Sequence, residues 1–244
     1  TIHASEDGSG LTLQFIGEYR PHRELPNLLG LHGIQLKDFD LSGLATVHPH
    51  LKELRLWGAP GNLGHFSAVR EFRELTDLST FDLFGFGAAD IPAPEQMPEL
   101  RWFWMTSLPE DAAKAAKQFW KSKPGMNLRI TKPRKPEWLA QNLDNPLRGW
   151  DGAEHIPAAA AKKAAGQYRK TRSQLMKLAT QPSENAQALE AVAAYTQTFN
   201  KMRFIETEER DEIYMALCGI LDALPDNTLP KDALIEKFEE LRDF

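Results

Sequence analysis

The sequence holds one cysteine, Cys218, among 244 residues. A lone thiol excludes an internal disulfide framework and a cysteine-built zinc site. No apolar run approaches the about 18 residues of a membrane-spanning helix, so none is expected. Residues 1–20 lack the basic, apolar, then small-residue order of a signal peptide, which leads to the expectation of a cytoplasmic protein. There is no Gly-x-x-x-x-Gly-Lys phosphate loop, and Gly85-Phe86-Gly87 is too short for a dinucleotide fingerprint. No cofactor is therefore expected. At about 150 residues per domain the length allows one to two domains.

The chain carries 29 Lys/Arg and 34 Asp/Glu, a net charge of −5. The distribution says more than the total. Residues 1–111 hold 8 basic and 16 acidic side chains, net −8, while residues 112–135 hold 8 basic and no acidic ones. Segments of one sign create fields that steer partners.

Two halves differ in pattern. The first, residues 1–135, alternates short apolar runs with turn residues; the second, 136–244, is rich in Ala, Glu and Lys at helical spacing. Between them lie Lys132-Pro133-Arg134-Lys135-Pro136 and Asn145-Pro146-Leu147-Arg148-Gly149-Trp150-Asp151-Gly152, whose prolines and glycines favour turns. In the first half an apolar triplet recurs: Leu31-Ile34-Leu36, Leu51-Leu54-Leu56, Leu78-Phe81-Leu83, Leu100-Phe103-Met105, and Leu128 with Ile130. The starts are 20, 27, 22 and 25 residues apart, within the about 20–29 residues of leucine-rich repeats. In each unit the second and third apolar residues point inward from a short strand. The Asn that usually follows that strand is missing. The expected fold is α/β: a short, irregular leucine-rich-repeat solenoid followed by a C-terminal helical bundle.

Four helices are expected in the second half. Pro157 opens the first, with Ala160, Ala164, Tyr168, Thr171, Leu175 and Leu178 inward. Pro182-Ser183 precedes the second, with Leu189, Val192, Phe199 and Met202 inward. Thr207 can cap the third, which carries Ile213, Leu217, Ile220, Leu221 and Leu224; Pro230 opens the fourth, with Leu234, Phe238 and Leu241.

Most candidate reactive residues have ordinary explanations. His48-Pro49-His50 offers two imidazoles without a third ligand at metal spacing. His155, beside Glu154, suits a cap or packing. Cys218 sits in the apolar stripe Ala216-Leu217-Cys218-Gly219-Ile220, where a thiol is inert. The acids Glu206, Glu208, Glu209, Asp211 and Glu212 lack an EF-hand turn and suit a helix start. Lys162, Lys163, Arg169, Lys170, Arg172 and Lys177 fall in an acid-free stretch, but the overall acidity opposes nucleic acid binding.

The repeat register yields a sharper feature. Positions flanking the inward residues should face solvent, and they place Trp57, Phe84, Trp102 and Trp104 on one face, with Arg55, Asp82 and Arg101 nearby. Exposed aromatic patches mark binding sites, and Trp and Arg dominate protein interfaces; the alternative is that the chain's own N-terminal or C-terminal segments cover this face.

The Asn145–Gly152 run with its following Ala/Lys helix, together with Phe204-Ile205-Glu206-Thr207-Glu208-Glu209-Arg210-Asp211-Glu212-Ile213, resembles the helical part of bacterial leucine-rich-repeat proteins. Some of these serve as immunity partners of polymorphic toxins. The resemblance spans roughly residues 145–224 and assigns no site residues. It implies a non-enzymatic module that binds and occludes a cognate toxin domain. The alternatives are a repeat-containing effector with a helical catalytic half, such as a bacterial ubiquitin ligase, which needs a reactive cysteine, or a nucleic-acid-binding protein.

Overall fold

The computed structural model describes residues 6–180 and 185–244, in two compact units dividing between Leu139 and Ala140. The expected division stood at 135/136. Pro182-Ser183, expected before the second helix, lies outside the described residues.

In the first unit, six strands form one wholly parallel sheet: β1 (Thr12–Ile16), β2 (Gly30–Asp40), β3 (Glu53–Gly64), β4 (Asp77–Phe84), β5 (Trp102–Pro109) and β6 (Asn127–Arg134). Their order across the sheet is their order in sequence. The returns include α1 (Leu44–Val47), short 3-10 turns, and α2 (Glu110–Trp120). A right-handed crossover sends each return over the same side when the order never reverses. One face is thus covered by the unit's own returns and the other is not.

This α/β fold, with its six-stranded parallel sheet followed by helices, replaces the expected leucine-rich-repeat solenoid. Strands β2–β6 run 8 to 12 residues, where a repeat unit was read as having one short strand. The apolar spacing misled because any parallel sheet covered on one face alternates inward and outward residues in this way.

The inner rows follow the register. Leu31, Leu54, Leu78, Phe103 and Leu128 pair across the strands, as do Gly33 with Leu56 and Thr80 with Met105 and Ile130. Leu31, Leu54, Leu56, Leu78, Phe103 and Met105 are fully buried, each stabilising by about 1.5–3 kcal/mol. Trp120 of α2 closes this core edge-on to Phe103, centroids 5.4 Å apart, and donates to the Pro92 carbonyl at 2.8 Å.

Past these rows the strands kink. Gln35, Asp82, Ser107 and Lys132 all adopt left-handed backbone, φ 50 to 57°. The last three follow the paired residues Phe81, Thr106 and Thr131, so they stack in register. Such a conformation costs an L-residue about 1–2 kcal/mol. Buried polar contacts along the stack offset it: the Ser107 hydroxyl donates to Asp82 at 2.8 Å, and Arg134 Nε donates to Ser107 at 3.1 Å. On β3 the adjustment is a bulge, where Trp57 faces Phe81 but Gly61 faces Leu83. A Cβ at Gly61 would overlap the Leu36 carbonyl. Gly85, at φ +90°, would likewise drive a Cβ into the Asn62 side chain.

The segment before β2 is held by His48, which is fully buried. Its Nδ1 donates to the Leu25 carbonyl at 3.0 Å, leaving Nε2 to accept from the Tyr19 hydroxyl. His50 turns away to Glu74, 2.7 Å distant.

The second unit follows α3 (Pro136–Asn142), which crosses the division, and contains α4 (Ala158–Leu178), α5 (Asn185–Phe199), α6 (Thr207–Asp222) and α7 (Lys231–Leu241). Val192, Phe199, Ile213, Leu217, Leu234 and Phe238 are among its buried residues. Ala161 and Ala165 join the buried face of α4, while Ala160 is only half-buried. The Asn145–Gly152 run proves structural. Asn145 accepts from Leu147 N–H at 3.0 Å and donates to the Ala165 carbonyl at 3.1 Å, and Leu147 and Trp150 are buried. Trp150 donates to Glu212 at 2.5 Å. Thr207 begins α6 rather than capping it; Glu206 is the cap, its N–H held by Glu209 at 3.0 Å. His155 donates to the other oxygen of Glu209 at 2.7 Å. Cys218 is half-buried rather than buried. Among the described residues no helix is long and apolar enough to cross a membrane.

Three outcomes follow from these contacts. Gly61→Ala should destabilise the sheet unit by about 1–3 kcal/mol through overpacking. Gly166→Ala, with open space within α4, should stabilise the helical unit by about 0.5–1 kcal/mol; denaturant unfolding of both variants checks this pair. Burial lowers the His48 pKa below its ordinary value. The unfolded chain then takes up the proton more readily, so the stability held above about pH 6.5 is lost as pH falls below it. Denaturation midpoints of wild type and His48→Gln across that range should converge on acidification. The Glu209 hydrogen bond raises the His155 pKa, and His155 in turn lowers that of Glu209. This clasp is lost as pH rises through the raised histidine value or falls through the lowered carboxylate value. A histidine NMR titration should show the His155 pKa falling back in Glu209→Gln.

Candidate functional site

The uncovered sheet face carries three rows of side chains. The first is Thr12, Gly30, Glu53, Asp77, Trp102 and Asn127; the second is Gln14, His32, Arg55, Ser79, Trp104 and Arg129. In the third, Ile16 pairs with Ile34, and Trp57 pairs with Phe81, Thr106 and Thr131 in turn. Strand β4 contributes small groups, Asp77 and Ser79, between two strands bearing large ones. The result is a trough of about 410 Å³ running along β4. Arg55 and Trp57 form one wall, Trp102 and Trp104 the other, and Phe81, 40% exposed, closes one end. The wall strands lie about 10 Å apart, two interstrand spacings, and Asp77 to Phe81 spans about 13 Å.

The walls are braced from outside the trough. Trp102 and Trp104 pack with centroids 4.3 Å apart at 35°. Trp104 donates its indole N–H to Asn127 at 3.1 Å, and the Arg129 guanidinium lies 5.1 Å from its ring centre. Cation–ring contact of this kind adds about 0.5–1 kcal/mol at an exposed site. On the other wall Trp57 meets His32 edge-on at 6.3 Å. Arg55 pairs with Glu53, and His32 Nε2 lies 3.1 Å from the same carboxylate. Asp77 accepts from the neighbouring Thr76 hydroxyl at 2.7 Å. Among the described residues no basic side chain pairs with it.

Of the seven residues expected on this face, four are there: Arg55, Trp57, Trp102 and Trp104. The other three are elsewhere. Phe84 is 5% exposed and Asp82 8% exposed. The triplet took Phe81 and Leu83 as the inward pair of β4, whereas Leu78 and Thr80 are inward and Phe81 points out. The left-handed turn at Asp82 then interrupts alternation, so its carboxylate serves the kink and Phe84 enters the core. Arg101 precedes β5 and folds back, its guanidinium donating to the Pro98 carbonyl at 2.6 Å and pairing with Glu99 at 3.6 Å. Phe81, Asp77 and Ser79 were missed for the same reason. The polar Thr80 occupies an inward position, and only its burial reveals the phase.

The helical unit has a shallower apolar depression of about 510 Å³, lined by Pro157, Ala160, Met202 and Phe204 and rimmed by Lys163, Lys201 and Arg203. It lacks the convergence of rings. No cluster of three His, Cys, Asp or Glu that could hold a metal occurs among the described residues.

Acrylamide should quench the part of the tryptophan emission that arises at the trough. Replacing Trp57, Trp102 and Trp104 by Phe should lower the quenchable component and leave that of the half-buried Trp138, because Trp120 and Trp150 are buried. An unchanged quenchable fraction would contradict the open face.

No family model, curated protein or solved structure matches this chain.

Proposed function

We propose that this protein is a non-enzymatic binding module that docks a partner protein on its uncovered sheet face, in the manner of an immunity protein occluding a cognate toxin domain. The observation that carries the reading is the trough itself. Three tryptophans and a phenylalanine line a solvent-open depression on a rigid hydrogen-bonded sheet. Aromatic side chains on a preordered surface give much contact area for little loss of conformational freedom. A parallel sheet is normally covered on both faces, whereas no return of this unit crosses the face that carries these rings.

The charge distribution supports a basic partner. Strands β1–β4 belong to residues 1–111, whose net charge is −8. A field of that sign accelerates the approach of a positively charged domain, and ring packing then slows its departure. Residues 145–224 resemble the helical part of bacterial leucine-rich-repeat proteins, some of which serve as immunity partners of toxins.

The test is direct titration against a toxin domain found to be encoded by a neighbouring gene, with protection of growing cells from that domain as a second readout. Trp57→Ala and Trp104→Ala should each weaken binding by about 2 kcal/mol or more, roughly 30-fold, with both variants still folded. Arg101→Ala should bind as wild type. Full affinity in both tryptophan variants would remove the face from the interface.

A further inference from the structure

We propose that the trough recognises a cation, and that the partner places a lysine or arginine side chain along β4 between the tryptophan walls. The inference rests on the docking reading above and names the chemistry of the group that occupies its centre.

Three observations carry it. The first is the composition of the lining: four aromatic rings, Trp57, Phe81, Trp102 and Trp104, surround a single depression. Aromatic faces are electron-rich and attract cations, and several rings together hold an ammonium or guanidinium better than any neutral polar group. The second is the balance of charge. Glu53 and Asp77 stand on neighbouring strands in the same row. The Glu53 carboxylate is paired with Arg55, so that pair has no net charge. Asp77 accepts from the Thr76 hydroxyl, and among the described residues no basic side chain pairs with it. Trp102 is its register partner on the other side. One carboxylate and one indole therefore meet at the same end of the trough. The third is shape. A slot about 10 Å between wall strands and about 13 Å long matches an extended side chain lying along the strand.

The basic groups nearby do not fill this place. Arg129 lies against Trp104 from the β6 side and is not part of the lining. Arg55 is drawn toward Glu53. A charged head bound beside Asp77 would thus sit between a carboxylate and the Trp102 ring, with its aliphatic stem over Ser79 toward Phe81.

The probes are N-acetyl-arginine amide, N-acetyl-lysine amide and N-acetyl-trimethyllysine amide. Neutral N-acetyl-leucine amide and a neutral glucose oligomer serve as controls. Each is titrated into the full chain at matched ionic strength, following tryptophan emission. The cationic probes should change the emission saturably, and the neutral ones should not. Asp77→Asn keeps the size of the side chain and an acceptor for Thr76, and should weaken the cations about tenfold. Trp102→Leu should weaken them by a similar factor. Saturable binding of the leucine amide or the glucose oligomer as tight as that of the cations overturns the proposal, as does unchanged cation binding in Asp77→Asn. The same variants separate this inference from the docking reading. If the partner domain needs Trp57 and Trp104 but ignores Asp77→Asn, docking stands and cation recognition falls. If the probes bind as expected while the partner ignores Trp57→Ala and Trp104→Ala, the cation site stands and docking falls.

Discussion

Six parallel strands paired in register are the constraint from which the rest of the sheet unit follows. Because each strand's hydrogen bonds are made to the same positions of its neighbours, equivalent residues must stack. Leu31, Leu54, Leu78, Phe103 and Leu128 become one inner row, and the residues between them become outer rows. Strand order then decides coverage. Since the order never reverses, all crossovers of one hand pass over one face, and the other face has no return segment from this unit to bury it.

Stacking also concentrates strain and supplies its remedy. A left-handed residue in a single strand would be an isolated cost. Here Asp82, Ser107 and Lys132 fall in adjacent strands, so their side chains and freed backbone groups can serve one another. The same economy governs the buried polar groups elsewhere. His48, Asn145 and Glu209 are each nearly or fully buried, and each ties a segment outside the regular elements to the body of its unit through two hydrogen bonds. A buried polar group without partners would cost about 1–3 kcal/mol. With partners it fixes where an otherwise irregular segment must lie.

The outer rows show how a ladder of side chains acquires relief. Large rings on β3 and β5 flank small side chains on β4, which turns a flat ladder into a trough. Bracing from Asn127, Arg129 and His32 holds the rings from outside and leaves their inner faces open. Arg55 pairs with Glu53, and among the described residues no basic side chain pairs with Asp77. Aromatic rings and the Asp77 carboxylate thus lie together in one depression.

Helix positions in the second unit were legible because their stripes repeat at helical spacing without interruption, as in Ile213, Leu217, Ile220 and Leu221. The outward residues of β3 and β5 were legible too, since Leu54-x-Leu56 and Phe103-x-Met105 mark the inward face unambiguously. On β4 the inward positions are Leu78 and Thr80, and the hydroxyl hid the phase, so the reading slipped to Phe81 and Leu83. A left-handed turn at Asp82 then broke the alternation on which any such reading depends, burying Asp82 and Phe84. The sequence by itself determined which segments alternate, where helices run and how charge is distributed, because those are local properties of spacing and composition. Only the tertiary structure decided that the strands form one parallel sheet rather than a repeat solenoid, and which side chains share the open face. Both depend on register between segments about 25 residues apart, which local pattern leaves free.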